Sequence, residues 1–264
     1  MSVTTTRRLV GRVRDHVLAS SRPDELAVED PLVLALDGDV LATLMRTPGH
    51  DVELAAGWLV VESGVRAAEH VHTLRTCRED NTDRVHITLA PQITPPRPRA
   101  FVTSAACGVC SADVVDLAPL RWAAPHSEGW TVDGAMLAGL PDAMRTQQRA
   151  FDRTGAVHAA ALATPAGDLL VVREDVGRHN AVDKVVGHAL LNDRLPATDH
   201  LLVVSGRVSF EIVQKAVAAG VAGIVAVSAP TSLAVDLARE ADLVLLGMTR
   251  NGGYNTYAGA EYLR

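Results

Sequence analysis

The chain has 264 residues, 48% of them hydrophobic, with 25 Lys plus Arg against 31 Asp plus Glu and a formal net charge of −6. At roughly 150 residues per domain there is room for one large domain or two small ones, and the apolar content excludes global disorder. The acidic balance argues against a nucleic-acid partner, and no apolar run approaches the roughly 18–20 residues of a membrane span. No apolar stretch follows Arg7-Arg8, so no signal peptide is expected, and three cysteines do not make a disulfide framework. These features predict a protein of the reducing cytoplasm, away from membranes and nucleic acid.

Aromatic residues are only 3% of the chain, so Ala, Val and Leu must carry the burial. In chain order, residues 8–18 alternate with period 2 and predict a strand. Asp37-Gly38 between two apolar runs over Leu32 to Met45 predicts a hairpin. Asp51 to Glu62 has helical spacing and an acidic first turn, which suits the helix dipole. Val71–Thr76 and Arg84–Leu89 form a further strand pair. Pro91-Gln-Ile-Thr-Pro-Pro-Arg-Pro98 then reads as a connection, because proline fixes φ and cannot donate to a ladder.

The second half changes rhythm. A helical pattern covers 133–151, and strands at Val157–Ala163 and Leu169–Arg173 flank the turn Thr164-Pro-Ala-Gly-Asp168. Strands Leu201–Val204, Gly223–Val227 and Leu243–Leu246 then alternate with helices at about 179–191, 209–219 and 231–241. This alternation predicts an α/β domain with a mostly parallel sheet. The organisation expected is an N-terminal α+β domain at 1–98 and a mobile CxxC loop with its connection at 99–125. An α/β domain at 126–264 follows.

The strand ends carry the polar residues. They lead into Glu174-Asp-Val-Gly-Arg178, Ser205-Gly206-Arg207, Ser228-Ala-Pro-Thr231 and Gly247-Met-Thr-Arg250-Asn-Gly-Gly253. Ligands of open α/β sheets collect at this edge. Helix N-termini and arginines are donors for phosphate, so an anionic, phosphorylated ligand is expected there. Taken singly, Ser205 and Thr231 also suit ordinary N-caps.

Cys107-Gly-Val-Cys110 is the sharpest local signal, in a stretch of small residues with neither helical nor strand period. By itself the motif fits half a zinc site, a redox pair or a sulfur nucleophile whose neighbouring thiol lowers its pKa. Cys77, at the end of a strand, reads as a buried small hydrophobe. A zinc deaminase needs H-x-E and a later P-C-x-x-C. Here the CxxC comes early without a preceding proline, and Ala159-Ala160 follow His158, so that activity is disfavoured and no metal is expected.

Six stretches, in order and spacing, resemble the formate dehydrogenase accessory sulfurtransferases. They are Arg46-Thr-Pro-Gly-His-Asp-Val-Glu-Leu-Ala-Ala-Gly-Trp-Leu59, Thr103-Ser-Ala-Ala-Cys-Gly-Val-Cys110, Thr154-Gly-Ala-Val-His-Ala-Ala-Ala-Leu162, Arg173-Glu-Asp-Val-Gly-Arg-His-Asn-Ala-Val-Asp-Lys184, Ser205-Gly-Arg-Val-Ser-Phe-Glu211 and Ser228-Ala-Pro-Thr231. Ser111 stands where the family usually has glycine, and Met248 where it usually has phenylalanine. The resemblance implies a C-terminal cytidine-deaminase-like three-layer domain without zinc, beside the smaller N-terminal domain, in a homodimer. It implies a sulfurtransferase that takes persulfide sulfur from a cysteine desulfurase. The sulfur passes to the molybdenum (or tungsten) of a bis(molybdopterin guanine dinucleotide) cofactor, a bound substrate, for the client formate dehydrogenase. Cys107 then carries the persulfide beside Cys110. Met248, Thr249, Arg250, Asn251, Gly252 and Gly253 match the stretch credited with cofactor binding, and Arg178 and Arg207 are the strand-end arginines that suit its pyrophosphates. GDP-like nucleotides are expected to fit the same site. The competing readings are a non-catalytic cofactor-holding chaperone and a zinc-dependent deaminase.

Overall fold

The computed structural model describes residues 4–18, 20–97, 102, 103 and 117–264. Hairpins around one helix make up its first half. β1 (Thr5–Val10) pairs with β4 (Arg22–Ala27), while β2 (Val13–Arg14) and β3 (Val17–Leu18) form a small hairpin between them. The strand expected over 8–18 is therefore broken. Asp15 and His16 take φ of 49° and 65°, which is how a two-residue turn reverses the chain. The predicted hairpin of β5 (Asp30–Leu36) and β6 (Asp39–Arg46) is present, with Asp37 and Gly38 at positive φ. The predicted helix α1 (Asp51–Glu62) and the strand pair β7 (Val71–Glu79) and β8 (Thr82–Leu89) follow. With β9 (Val102–Thr103) they give a five-stranded sheet ordered β7-β8-β5-β6-β9.

The helical pattern at 133–151 resolves into α2 (Gly134–Arg145) and α3 (Arg149–Thr154). Then come β10 (His158–Ala163), β11 (Leu169–Asp175), α4 (Arg178–Leu191), β12 (Leu201–Val204), α5 (Phe210–Ala219), β13 (Gly223–Ala226), α6 (Ser232–Glu240), β14 (Val244–Arg250) and β15 (Gly253–Ala258). The sheet order is β11-β10-β12-β13-β14-β15. Only β12, β13 and β14 run parallel to one another, so the sheet is mixed and the expectation of a mostly parallel one is corrected. The reason is local. β10 and β11 are joined by a five-residue turn and β14 and β15 by Asn251-Gly252, and connections this short join only antiparallel strands.

The period-2 rule divides the six-stranded sheet between two apolar layers. Ala159, Ala161, Leu201, Val203 and Val225 meet Leu137, Leu140 and Met144 of α2 on one face. Ala160, Leu162, Leu202, Val204 and Ile224 meet α4 and α5 on the other. That second core continues into α1 and the five-stranded sheet, so one apolar layer joins both halves of the chain. α1 is buried along Leu54–Val60 and α4 along Asn180–Gly187, the pattern of helices covered all round. They approach closely because each presents a glycine. A Cβ on Gly57 would overlap the backbone carbonyl of Asp183, and one on Gly187 that of Glu53.

Candidate functional site

The carboxyl ends of the parallel strands open onto a cavity of about 550 Å³. His158 at the start of β10, Ser205 after β12, Val227 after β13 and Thr249 and Arg250 at the end of β14 line it, facing Met144 and Phe151. Of the residues expected to bind cofactor, Thr249 and Arg250 thus reach the cavity wall. Arg250 is exposed and Thr249 is fully buried. Asn251 and Gly252, at φ of 53° and 75°, form the exposed turn into β15, where Arg250 pairs with Gly253. Met248 sits in a β-bulge at φ 55°, its N–H donated to the Ser228 carbonyl at 3.1 Å. A left-handed backbone at methionine costs about 1 kcal/mol or more. Here the β13–α6 turn holds it through Ser228, and Thr249 and Arg250 follow at the sheet edge.

Arg178 and Arg207 gather beside His158. A Cβ at Gly206 would lie 3.3 Å from His158 Nδ1 and 3.5 Å from Arg178 Cβ, so the three residues surround one short turn. Burial, then the Arg178 charge, with His179 and Arg207 adding, push the His158 imidazole below its ordinary pKa. Burial and the Arg207 charge likewise lower Arg178. His158 is therefore held neutral beside two guanidinium groups. The Nε of Arg178 and the Oγ1 of Thr249 are buried without a hydrogen-bond partner among the described residues. Such groups cost roughly 1–3 kcal/mol each unless something else satisfies them. Two unmatched polar atoms and a concentration of positive charge at a strand edge are what an anionic ligand would complete.

Much of the Arg173–Lys184 stretch serves to position Arg178 rather than to meet a ligand. Asp175 and Lys184 are buried and paired at 2.6 Å. Asp175 also accepts from the backbone N–H groups of Gly177 and Thr47 and from Asn180 Nδ2, while Lys184 donates to the Thr47 carbonyl. Asn180 Nδ2 reaches the Met45 carbonyl and Val176 N–H the Thr47 hydroxyl. The network ties the end of β6 to the first turn of α4. A buried pair whose partner is removed costs roughly 3–5 kcal/mol. Asp175→Ala is expected to lose stability on that scale in urea unfolding, and an unchanged midpoint would contradict this role.

His158 and the Asp175 network went unnoticed in the sequence as site elements. The available signal for His158 is its position at the start of a strand whose next three residues are alanine. Ser205 does not cap a helix: its Oγ accepts from Ala159 N–H at 2.9 Å, and the cap residue of α5 is Ser209. Thr231 does cap α6, accepting from Ala234 N–H. Cys107 and Cys110 lie outside the described residues.

The FdhD/NarQ family profile matches residues 27–264. The chain belongs to the FdhD/NarQ family. Among its family relatives, the sulfur carrier protein FdhD of Corynebacterium efficiens is 46% identical over 262 residues, covering 92% of each chain. That of Streptomyces coelicolor is 46% identical over 99% of this chain and 96% of its own, and that of Sulfolobus acidocaldarius is 38% identical over 96% of each. A crystal structure described as a candidate formate dehydrogenase accessory protein from Desulfotalea psychrophila aligns with 99% of this FdhD/NarQ-family chain and 100% of its own. The TM-score is 0.81 and the identity 22%, a likeness of fold. No helix among the described residues is long and apolar enough to cross a membrane.

Proposed function

We propose that the chain is a sulfur carrier that loads sulfur onto the molybdenum cofactor destined for formate dehydrogenase, using a cysteine persulfide on Cys107. The observation that carries this reading is 46% identity over 92% and 99% of the chain to two proteins named sulfur carriers, in a chain that contains Cys107-Gly-Val-Cys110. The Cys107 thiolate attacks the outer sulfur of the donor persulfide and the desulfurase thiolate leaves, so the bond count is conserved. Delivery as sulfide requires two electrons. Attack of Cys110 on the inner sulfur of Cys107 supplies them, forming a disulfide as sulfide departs.

Thr103, the described residue from which the CxxC stretch departs, lies near the first turn of α4. Thr103 pairs with Leu44 on β6, one residue before the Met45 carbonyl that Asn180 holds at the start of α4. Cys107 follows Thr103 by four residues, a span of at most roughly 14 Å. The pyrophosphates of the guanine dinucleotide cofactor are the ligand that the Arg178, Arg207 and Arg250 group would take. The substrate is thus held by its nucleotide ends while sulfur arrives from the CxxC. A homodimer, the desulfurase as donor and a cytoplasmic location belong to the same proposal.

The nucleotide half of the reading is tested by calorimetric titration of GDP. A charge-assisted contact to phosphate contributes about 1.5–3 kcal/mol, so Arg250→Ala and Arg178→Ala are each expected to weaken binding about tenfold to a hundredfold. Persulfide loading should be unchanged. Equal affinity in wild type and both variants would move the nucleotide away from this strand edge.

A further inference from the structure

A second set of reactive side chains lies on the outward face of the β7–β8 hairpin, at the edge of the five-stranded sheet. Cys77 stands opposite Arg84, Arg75 opposite His86 and Glu79 opposite Thr82, so the strand period puts all six on one face. Cys77 is half-buried rather than enclosed, which corrects the reading of it as a buried hydrophobe. Its Sγ, the Oε1 of Glu79 and the Nε2 of His86 lie within 4.8 Å of one another. Glu79 Oε1 accepts from Cys77 Sγ at 3.4 Å and lies 2.9 Å from His86 Nε2.

We propose that Cys77, Glu79 and His86 bind one zinc-class divalent cation, with the fourth coordination position left to water. Zinc takes thiolate at roughly 2.3 Å and imidazole or carboxylate at roughly 2.0–2.1 Å, which sets tetrahedral ligand atoms about 3.3–3.6 Å apart. The sulfur–oxygen distance already fits, and the nitrogen–oxygen distance needs to open by a few tenths of an ångström. The soft, borderline and hard donors together suit zinc rather than calcium or magnesium.

The charges are also matched. Binding replaces the thiol proton, which goes to solvent, and the thiolate and carboxylate then offset the two charges of the cation. Arg84 Nε lies 3.3 Å from Glu79 Oε2, which engages the far oxygen and leaves Oε1 facing the thiol and the imidazole.

The experiment uses the full chain carrying Cys107→Ser and Cys110→Ser, so that the CxxC pair cannot hold metal, titrated with cobalt(II) in place of zinc. One equivalent is expected to bind, with a thiolate-to-cobalt charge-transfer absorption. Cys77→Ser should abolish that absorption, and His86→Asn should weaken binding at least tenfold, since even outer partners of metal ligands cost 10–100-fold. Both positions face outward, and circular dichroism checks their folding. Failure to bind a stoichiometric cation, an absorption that survives Cys77→Ser, or full affinity in His86→Asn would each overturn the site.

Discussion

Cys107→Ala is expected to leave the client formate dehydrogenase inactive while the variant itself folds as well as wild type. Without that thiolate no persulfide forms, and no other side chain in the cationic cluster is a sulfur nucleophile among the described residues. The loss should exceed a hundredfold, because covalent transfer is removed rather than weakened. For Cys110→Ala a partial loss is expected, since in the proposed scheme an external thiol can supply the electrons assigned to Cys110. The check is formate dehydrogenase activity in cells whose own copy of the carrier is deleted. Full activation by Cys107→Ala would remove Cys107 from the mechanism. A Cys110→Ala variant as inactive as Cys107→Ala would make the two cysteines joint carriers.

Gly187→Ala is expected to cost about 3 kcal/mol of stability, at the upper end of ordinary overpacking. The new methyl group would overlap the Glu53 carbonyl of α1, which is backbone and has nowhere to move without separating the helices. Separation would also strain the Glu53 site, where Arg173 and His188 meet one carboxylate. Burial alone would raise that carboxyl, yet Arg173, His50 and His188 together hold it far below its ordinary pKa. Gly139→Ala, at an exposed position of α2, is the control. Nothing lies within 4 Å of the new Cβ there, so stability should rise by roughly 0.5–1 kcal/mol. The two urea midpoints should move in opposite directions, and a Gly187→Ala midpoint equal to wild type would refute the close helix contact.

What the sequence disclosed follows from the range of the interactions. Asp37-Gly38 declared its hairpin and Asp51 to Glu62 its helix because turn chemistry and helical period are local. Pairing direction is not local in the same way. β10 and β12 are antiparallel neighbours separated in sequence by β11 and α4, and no short pattern announces that. Thr249 and Arg250 were legible as strand-end residues because strand edges collect ligands, and these two line the cavity. His158 was overlooked because its role depends on Arg178 and Gly206 arriving from elsewhere in the chain. A strand ending at Thr76 leaves Cys77 without a face, whereas β7 runs on to Glu79. Carried on to Glu79, the period sets Cys77 beside Arg75 on the outward face.

The most direct test of the sulfur-carrier account is the intact mass of the purified chain after incubation with a cysteine desulfurase and free cysteine. The expected result is a gain of one sulfur atom, released by a thiol reductant and confined after proteolysis to the peptide containing Cys107. A chain that gains no sulfur, or that carries it stably on a peptide without Cys107, would contradict the account.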